Sequence, residues 1–311
     1  MLINRRNFIR QTGLASAAVL ASSLVNVQAA DEPAETLTIL HTNDTHSRLD
    51  AFPEDGSRNA GLGGVSARAE ILKKIRSEVS NVLLLDAGDF FQGTPYFNVF
   101  KGEPEIKAMS MLGYDAATIG NHDFDAGVDN LATQLQHASF PILICNYDFR
   151  GTLMEGKSLP YKIFQKGKMK IGVTGVGIQL KGNLAENLYG KTVYQDPVVS
   201  SNLVAEELKS KHKCDMVICL SHLGDKYNDD RISDEILAKE SYDIDLIIGA
   251  HTHKLINEPR MYRNRKNSDG IVNQVGWMGL HLGRLDYVFN RSGKKTLAQS
   301  HTVVIAKKTS D

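Results

Sequence analysis

Five short apolar runs in this chain each end in a cluster of aspartate, asparagine or histidine, and no other feature narrows the fold as much. Thr36–Leu40 runs into His41-Thr42-Asn43-Asp44-Thr45-His46, Val82–Leu85 into Asp86-Ala87-Gly88-Asp89, and Ala116–Ile119 into Gly120-Asn121-His122-Asp123-Phe124-Asp125. Met216–Leu220 ends in Ser221-His222-Leu223-Gly224, and Leu246–Ile248 in Gly249-Ala250-His251-Thr252-His253. Val82–Leu85 is continuously apolar, as expected of a strand buried on both faces. Ligands of open α/β sheets bind beyond the carboxyl ends of the strands, so the five clusters are expected to converge.

Between these runs the period changes to helical. Val65, Ala69, Leu72, Ile75 and Val79 make one buried face. Shorter helices are expected at about 105–112, 128–138 and 230–239. Asp196 and Pro197 open a helix to about 211, with Val199, Leu203 and Leu208 expected inside. Lys166-Gly167-Lys168 turns a hairpin between 161–165 and 169–173, and short strands follow at 256–262, 271–275, 284–289 and 301–305. Strand–helix alternation followed by hairpins predicts one α/β domain with mixed sheets, long enough to stack two sheets with helices outside.

The clusters carry carboxylate, imidazole and amide donors and no thiolate. Singly, Asp44-x-His46 reads as a loop, Asp89 as a cap or turn residue, and His222 as a satisfied polar residue at a strand end. Together, in this order at strand ends, they read as ligands for Zn, Mn, Fe or a similar divalent ion. In an extended loop, Asp-x-His and His-x-His turn alternate side chains the same way, so each segment would reach one site. The whole chain has zero formal net charge, which gives no electrostatic case for a nucleic-acid polymer or an acidic membrane surface. Without residues 1–30, which carry Arg5, Arg6 and Arg10 and no acid, 33 basic residues face 36 acidic ones, so an anionic substrate would depend on bound metal for positive charge. The three cysteines suggest no disulfide framework. Cys145 and Cys219 read as buried free thiols, and a Cys214–Cys219 pair stays open.

Asn4-Arg5-Arg6-Asn7-Phe8-Ile9-Arg10 resembles a twin-arginine export motif, with Asn4 where Ser or Thr is usual. Thr12–Val25 is a modest apolar region too short to span a bilayer, and small residues at Ala29 and Ala30 suggest cleavage there. Residues 1–30 are therefore expected to be a signal peptide delivering a folded protein to the periplasm without a stable membrane anchor, with an uncleaved anchor as the competing reading.

The five clusters, with Leu282-Gly283-Arg284-Leu285-Asp286, resemble the metallophosphatase domain of the 5′-nucleotidase family, within the calcineurin-like metallophosphoesterases. The resemblance spans about 36–305 and implies a four-layer αββα sandwich of two mixed sheets, a single domain over 31–311. It implies two divalent ions, one on Asp44, His46 and His253 and the other on Asn121, His222 and His251, with Asp89 bridging and a shared hydroxide attacking phosphorus in line. His122 would face the phosphate and stabilise the transition state, its ring oriented by Asp125; general acid to the leaving oxygen is the alternative role. Gln92 and Thr94 read equally as phosphate neighbours or turn residues. Family members that cleave nucleotides carry a C-terminal substrate domain, which the resemblance does not reach here. A phosphate-ester substrate such as a nucleotide is implied, with a separate substrate-domain subunit as one expectation. The alternatives are a cyclic-nucleotide or nucleotide-sugar phosphodiesterase, a thiosulfohydrolase-like enzyme, and a non-catalytic binding module, although the last should lack ligands or His122.

Overall fold

The computed structural model describes residues 33–290 and 294–306, so the expected signal sequence at 1–30 lies outside the described residues. In chain order the first strands are β1 (Pro33–Thr42), β2 (Val82–Asp86), β3 (Ala116–Ala117), β4 (Ile142–Leu143), β5 (Tyr147–Asp148), β6 (Ser158–Leu159), β7 (Tyr161–Lys166) and β8 (Met169–Gly177). They are followed by β9 (Val193–Tyr194), β10 (Met216–His222), β11 (Leu246–Ile248), β12 (Arg260–Arg263), β13 (Asp269–Asn273), β14 (His281–Asn290) and β15 (Lys295–Val304). The helices are α1 (Val65–Glu78), α2 (Pro95–Phe100), α3 (Glu103–Leu112), α4 (Val128–Gln134), α5 (Glu186–Tyr189), α6 (Pro197–Ser210) and α7 (Asp234–Glu240).

One sheet runs β15-β14-β1-β2-β3-β4-β6 and the other β12-β13-β11-β10-β8-β7. Strands β1, β2 and β3 are parallel neighbours, as are β8, β10, β11 and β13, while β7, β12, β14 and β15 pair antiparallel at the margins. Both sheets are therefore mixed.

Side-chain alternation along the strands sets the layering. Leu37, Ile39, Leu83 and Leu85 meet Val173, Met216, Ile218, Leu220 and Ile248 between the two sheets. Leu40, Val82 and Leu84 point the other way, onto Leu72 and Ile75 of α1 and Ile106 and Met109 of α3. On the far side Val217, Cys219 and Ile247 pack on Ala205 and Leu208 of α6 and Leu237 of α7. The result is the expected αββα order. Each fully buried leucine or isoleucine of the inner layer contributes about 1.5–3 kcal/mol.

Some local expectations are corrected. In α6 the buried stripe is Pro197, Ser201, Ala205 and Leu208, while Val199 and Leu203 face solvent. Small Ser201 and Ala205 let the helix approach β8, where a Cβ on Gly172 would meet Leu208 at 2.8 Å, so close approach outranked side-chain hydrophobicity. In α1, Ala69 is exposed, and Ala67 and Arg68 are buried instead. The last strand starts at Lys295 because its polar first half pairs with β14 throughout. All three cysteines are free, with Cys214 and Cys219 buried and Cys145 partly so.

Candidate metal centre

The parallel strands β1, β2, β3, β10 and β11 open their carboxyl ends at one edge of the sandwich, and the loops leaving them are bent sharply. Asp44, His46, Asp89, His251 and His253 all have left-handed backbones, with φ of 49°, 47°, 57°, 70° and 53°. The extended loops read from the sequence are thus corrected: left-handed kinks at Asp44, His46, Asp89, His251 and His253, not strand-like alternation, aim these side chains, while Asn121 is right-handed and His222 ends β10. Left-handed conformations cost a non-glycine residue of order 1–3 kcal/mol each and persist only where surroundings over-determine them. Here the surroundings do. The amides of Asp44, His46 and Ser47 donate to the carbonyls of Gly88, Asp89 and Phe90 at 2.9, 3.0 and 2.9 Å, binding the first loop to the second. The His251 amide donates to the Asp44 carboxylate at 3.0–3.1 Å, binding the fifth loop to the first.

The side chains gather into two groups, Asp44 with His46 and His253, and Asp89 with His222 and His251, the donor atoms within each lying no more than 4.8 Å apart. In the first group the Nε2 atoms of His46 and His253 are 3.0 Å apart, and Asp44 Oδ1 is 3.5 Å from His253 Nε2. In the second, Asp89 Oδ2 faces His222 Nε2 at 3.1 Å, and Asn121 Oδ1 lies 2.9 Å from His251 Nδ1. Asp44 Oδ1 and His222 Nε2, 4.0 Å apart, join the groups into one centre. Asp89 Oδ1 accepts the His122 amide at 2.7 Å.

The donor set fits divalent ions. His222 Nδ1 donates to the Ala87 carbonyl at 2.8 Å and His46 Nδ1 to the Gln92 carbonyl at 3.2 Å, so the Nε2 lone pairs of both rings face inward. His222 Nε2 is fully buried, and the group it faces is the Asp89 carboxylate. Burial opposes a charge on His222, but the adjacent Asp89 carboxylate outweighs it and lifts the imidazole to about 10. Burial likewise opposes ionisation of Asp89, and His222 outweighs it, holding the carboxyl well below its ordinary range. Burial and then His222 push His251 down to about 4, and burial lowers His46. Without metal, a proton on His222 balances Asp89, and a divalent ion would displace it.

His122 stands apart from the two groups. It opens a short 3₁₀ turn, His122–Phe124, and is half-buried, its ring 5.3 Å from that of His46. Its Nδ1 lies 2.8 Å from Asp125 Oδ2, and that hydrogen bond, against the opposing effect of burial, raises the imidazole above its ordinary value.

Several residues that were not assigned as ligands also shape the centre. Asp123 is fully buried and accepts three amides, from Asp89 (3.0 Å) and Gly120 (2.8 Å) on one oxygen and from Phe91 (3.0 Å) on the other. It is the brace between the second and third loops. Asn43 donates to Asp44 Oδ2 and to the Gly276 carbonyl, both at 2.6 Å. Trp277 stacks on His253. Thr94 turns inward to Ser47 at 2.7 Å, a structural contact, and Gln92 enters the centre through its carbonyl. Gly88 (φ 91°) has no room for a side chain: a Cβ there would meet the Gly120 amide at 2.6 Å and His222 Nδ1 at 2.9 Å.

The calcineurin-like phosphoesterase family model matches residues 37–255, which include every residue of both groups, His122 and Asp125. The chain belongs to that family. It is 33% identical over 295 residues to a snake venom 5′-nucleotidase of Gloydius brevicauda, covering 88% of this chain and 49% of that protein. Against the 5′-nucleotidase of Rattus norvegicus it is 37% identical over 231 residues, 71% of this chain and 38% of that protein. The crystal structure of a 5′-nucleotidase precursor from Thermus thermophilus superposes with a TM-score of 0.78 at 29% identity, over 88% of this chain and 55% of that one. This metallophosphoesterase thus spans about half the length of the curated relatives it matches.

Proposed function

We propose that the centre hydrolyses phosphate monoesters, in the manner of a 5′-nucleotidase, with two divalent ions. The observation that carries this reading is one edge of the sandwich holding two donor groups and, beside them, a half-buried His122–Asp125 pair. Asp44, His46 and His253 would hold one ion, Asn121, His222 and His251 the other, with Asp89 shared. Bound there, the two ions would supply Lewis-acid charge and a nucleophile at neutral pH.

The chain's own residues supply the rest. The carbonyls of Gln92 and Ala87 orient His46 and His222, and the Asp123 brace holds Asp89 in its left-handed conformation. His122, kept protonated more readily by Asp125, would donate from Nε2 to a phosphoryl oxygen as negative charge builds. The half-length match to the relatives supports a second unit, in this chain or another, that completes the substrate side. The Arg5–Arg6 motif supports export by the twin-arginine route and work in the periplasm.

Elemental analysis of the metal-replete protein, with turnover measured on AMP, UDP-glucose, 2′,3′-cyclic AMP and bis-p-nitrophenyl phosphate, tests the reading. Two divalent ions per chain and release of orthophosphate from AMP are expected. Cleavage of the diesters alone would reverse the substrate assignment, and a protein that takes up no ion would end it.

A further inference from the structure

We propose that Trp277 is a positioning residue for His253, and through it for the ion assigned to Asp44, His46 and His253; the inference rests on that ligand assignment. The indole and imidazole are stacked, with centroids 5.1 Å apart and planes 12° from parallel. Two of the other imidazoles are steered by backbone carbonyls on Nδ1, His46 by Gln92 and His222 by Ala87, and His251 Nδ1 faces its fellow ligand Asn121. Among the described residues, His253 has no such contact. Its hydrogen-bonding neighbour is His46, through the Nε2 that would bind metal, and its side chain is 36% exposed. No polar group on Nδ1 therefore sets the plane of this ring, and a histidine free to turn about its last torsion presents its lone pair in many directions. The flat face of Trp277 sets that plane instead, leaving the in-plane Nε2 lone pair aimed at the first group.

The indole can do this because its own loop is tied to the same group. Val275 N–H donates to Asn43 Oδ1 at 3.0 Å, the Gly276 carbonyl accepts from Asn43 Nδ2 at 2.6 Å, and Met278 N–H donates to the Asp44 carbonyl at 2.7 Å. Asn43 Nδ2 also donates to the Asp44 carboxylate at 2.6 Å. The residue before Trp277 is thus fastened to the Asn43 side chain, which also holds the Asp44 carboxylate, and the residue after it to the Asp44 backbone, so the stack and the carboxylate move as one unit. Trp277 is 39% exposed, too open for a core residue chosen for burial alone.

Trp277 is the sole tryptophan of the chain, so its fluorescence reports this one position. The full chain, stripped by a chelator, is titrated with Zn²⁺ and followed by calorimetry and, for the wild type, by tryptophan emission. Wild type is expected to bind two ions, with emission changing as the first group fills. Trp277→Ala is expected to weaken one of the two ions by roughly 10- to 100-fold, as loss of an orienting neighbour does, and to leave the other unchanged. Trp277→Phe keeps an aromatic face and should restore most of that affinity. In a His253→Ala background, Trp277→Ala should cause no further loss. Wild-type affinity for both ions in Trp277→Ala, an equal loss in Trp277→Phe, or an additive loss in the double variant would overturn the inference while leaving the ligand assignment intact. A wild type binding a single ion, with emission unmoved, would overturn both.

Discussion

Asp123 offers a direct test of how the centre is held together. Its carboxylate is fully buried and takes three backbone N–H groups at 2.8–3.0 Å, from Asp89, Gly120 and Phe91. In Asp123→Asn the amide oxygen can replace the oxygen that accepts two of them, but the NH₂ then faces the Phe91 N–H, donor against donor. The hydrogen bond to Phe91 is lost and its buried N–H is left unpaired, so a destabilisation of about 1–3 kcal/mol is expected. Asp123→Ala leaves three amides without an acceptor and should cost about 3–6 kcal/mol, a large share of a typical domain's 5–15 kcal/mol. In Asp123→Ala function should suffer with stability, because the Asp89 N–H that loses its acceptor belongs to a residue at φ 57°. Released, Asp89 can relax toward ordinary backbone and carry its carboxylate away from His222. Urea denaturation in chelator gives the stability difference, and repetition with added Zn²⁺ gives the gain from metal, which should shrink in Asp123→Ala. An unchanged urea midpoint together with an undiminished gain from metal would refute the bracing argument.

Three further outcomes are expected. His122→Ala should retain both ions by elemental analysis while turnover falls by roughly 10²- to 10⁴-fold, whereas Asp89→Ala should lose metal; a His122→Ala protein short of an ion would reverse this division of labour. Asp86, buried and bonded to Thr42 Oγ1 and the Gly88 amide, is raised by burial from 3.8 to about 7. A folded-state carboxyl raised this way contributes stability that is whole below the unfolded pKa and lost as pH rises through the folded one. Over that window of roughly three pH units the loss reaches at most about 4 kcal/mol. Asp86→Asn removes the charge, its oxygen accepting the Gly88 amide and its NH₂ donating to Thr42 Oγ1, whose proton can turn to Tyr114, so its urea midpoint should gain on the wild type between pH 4 and 7 and level off above; a pH-independent difference would contradict this. Gly120→Ala would drive a methyl onto the Asp89 carboxylate and the His222 ring. It should cost about 1–3 kcal/mol as overpacking and weaken ion binding, measured by calorimetry, and normal binding would show that the loop yields.

What the sequence determined by itself was the architecture and the list of chemically able residues. Apolar runs such as Val82–Leu85 and Met216–Leu220 can be stable only between two covered faces, and a polar cluster at the end of each had to lie at a sheet edge. That inference needs periodicity and polarity alone, both local properties. The helix faces were less legible: Val199 and Leu203 carry the right hydrophobicity, yet Ser201 and Ala205 face the sheet, because how closely α6 can approach β8 depends on Gly172 across the interface. At the centre, tertiary structure decided three things. It chose left-handed kinks over extended loops, since hydrogen bonds between loops, such as the ladder to Gly88–Phe90 and the His251 amide on Asp44, hold those backbones. It made Asp123, an acid in a polar turn on paper, a buried brace for two loops. And it set Trp277, well downstream of His253 in the chain, face to face with that ring. Each of these is a relation between segments distant in the chain, carried by packing and backbone hydrogen bonds that no single stretch of sequence contains.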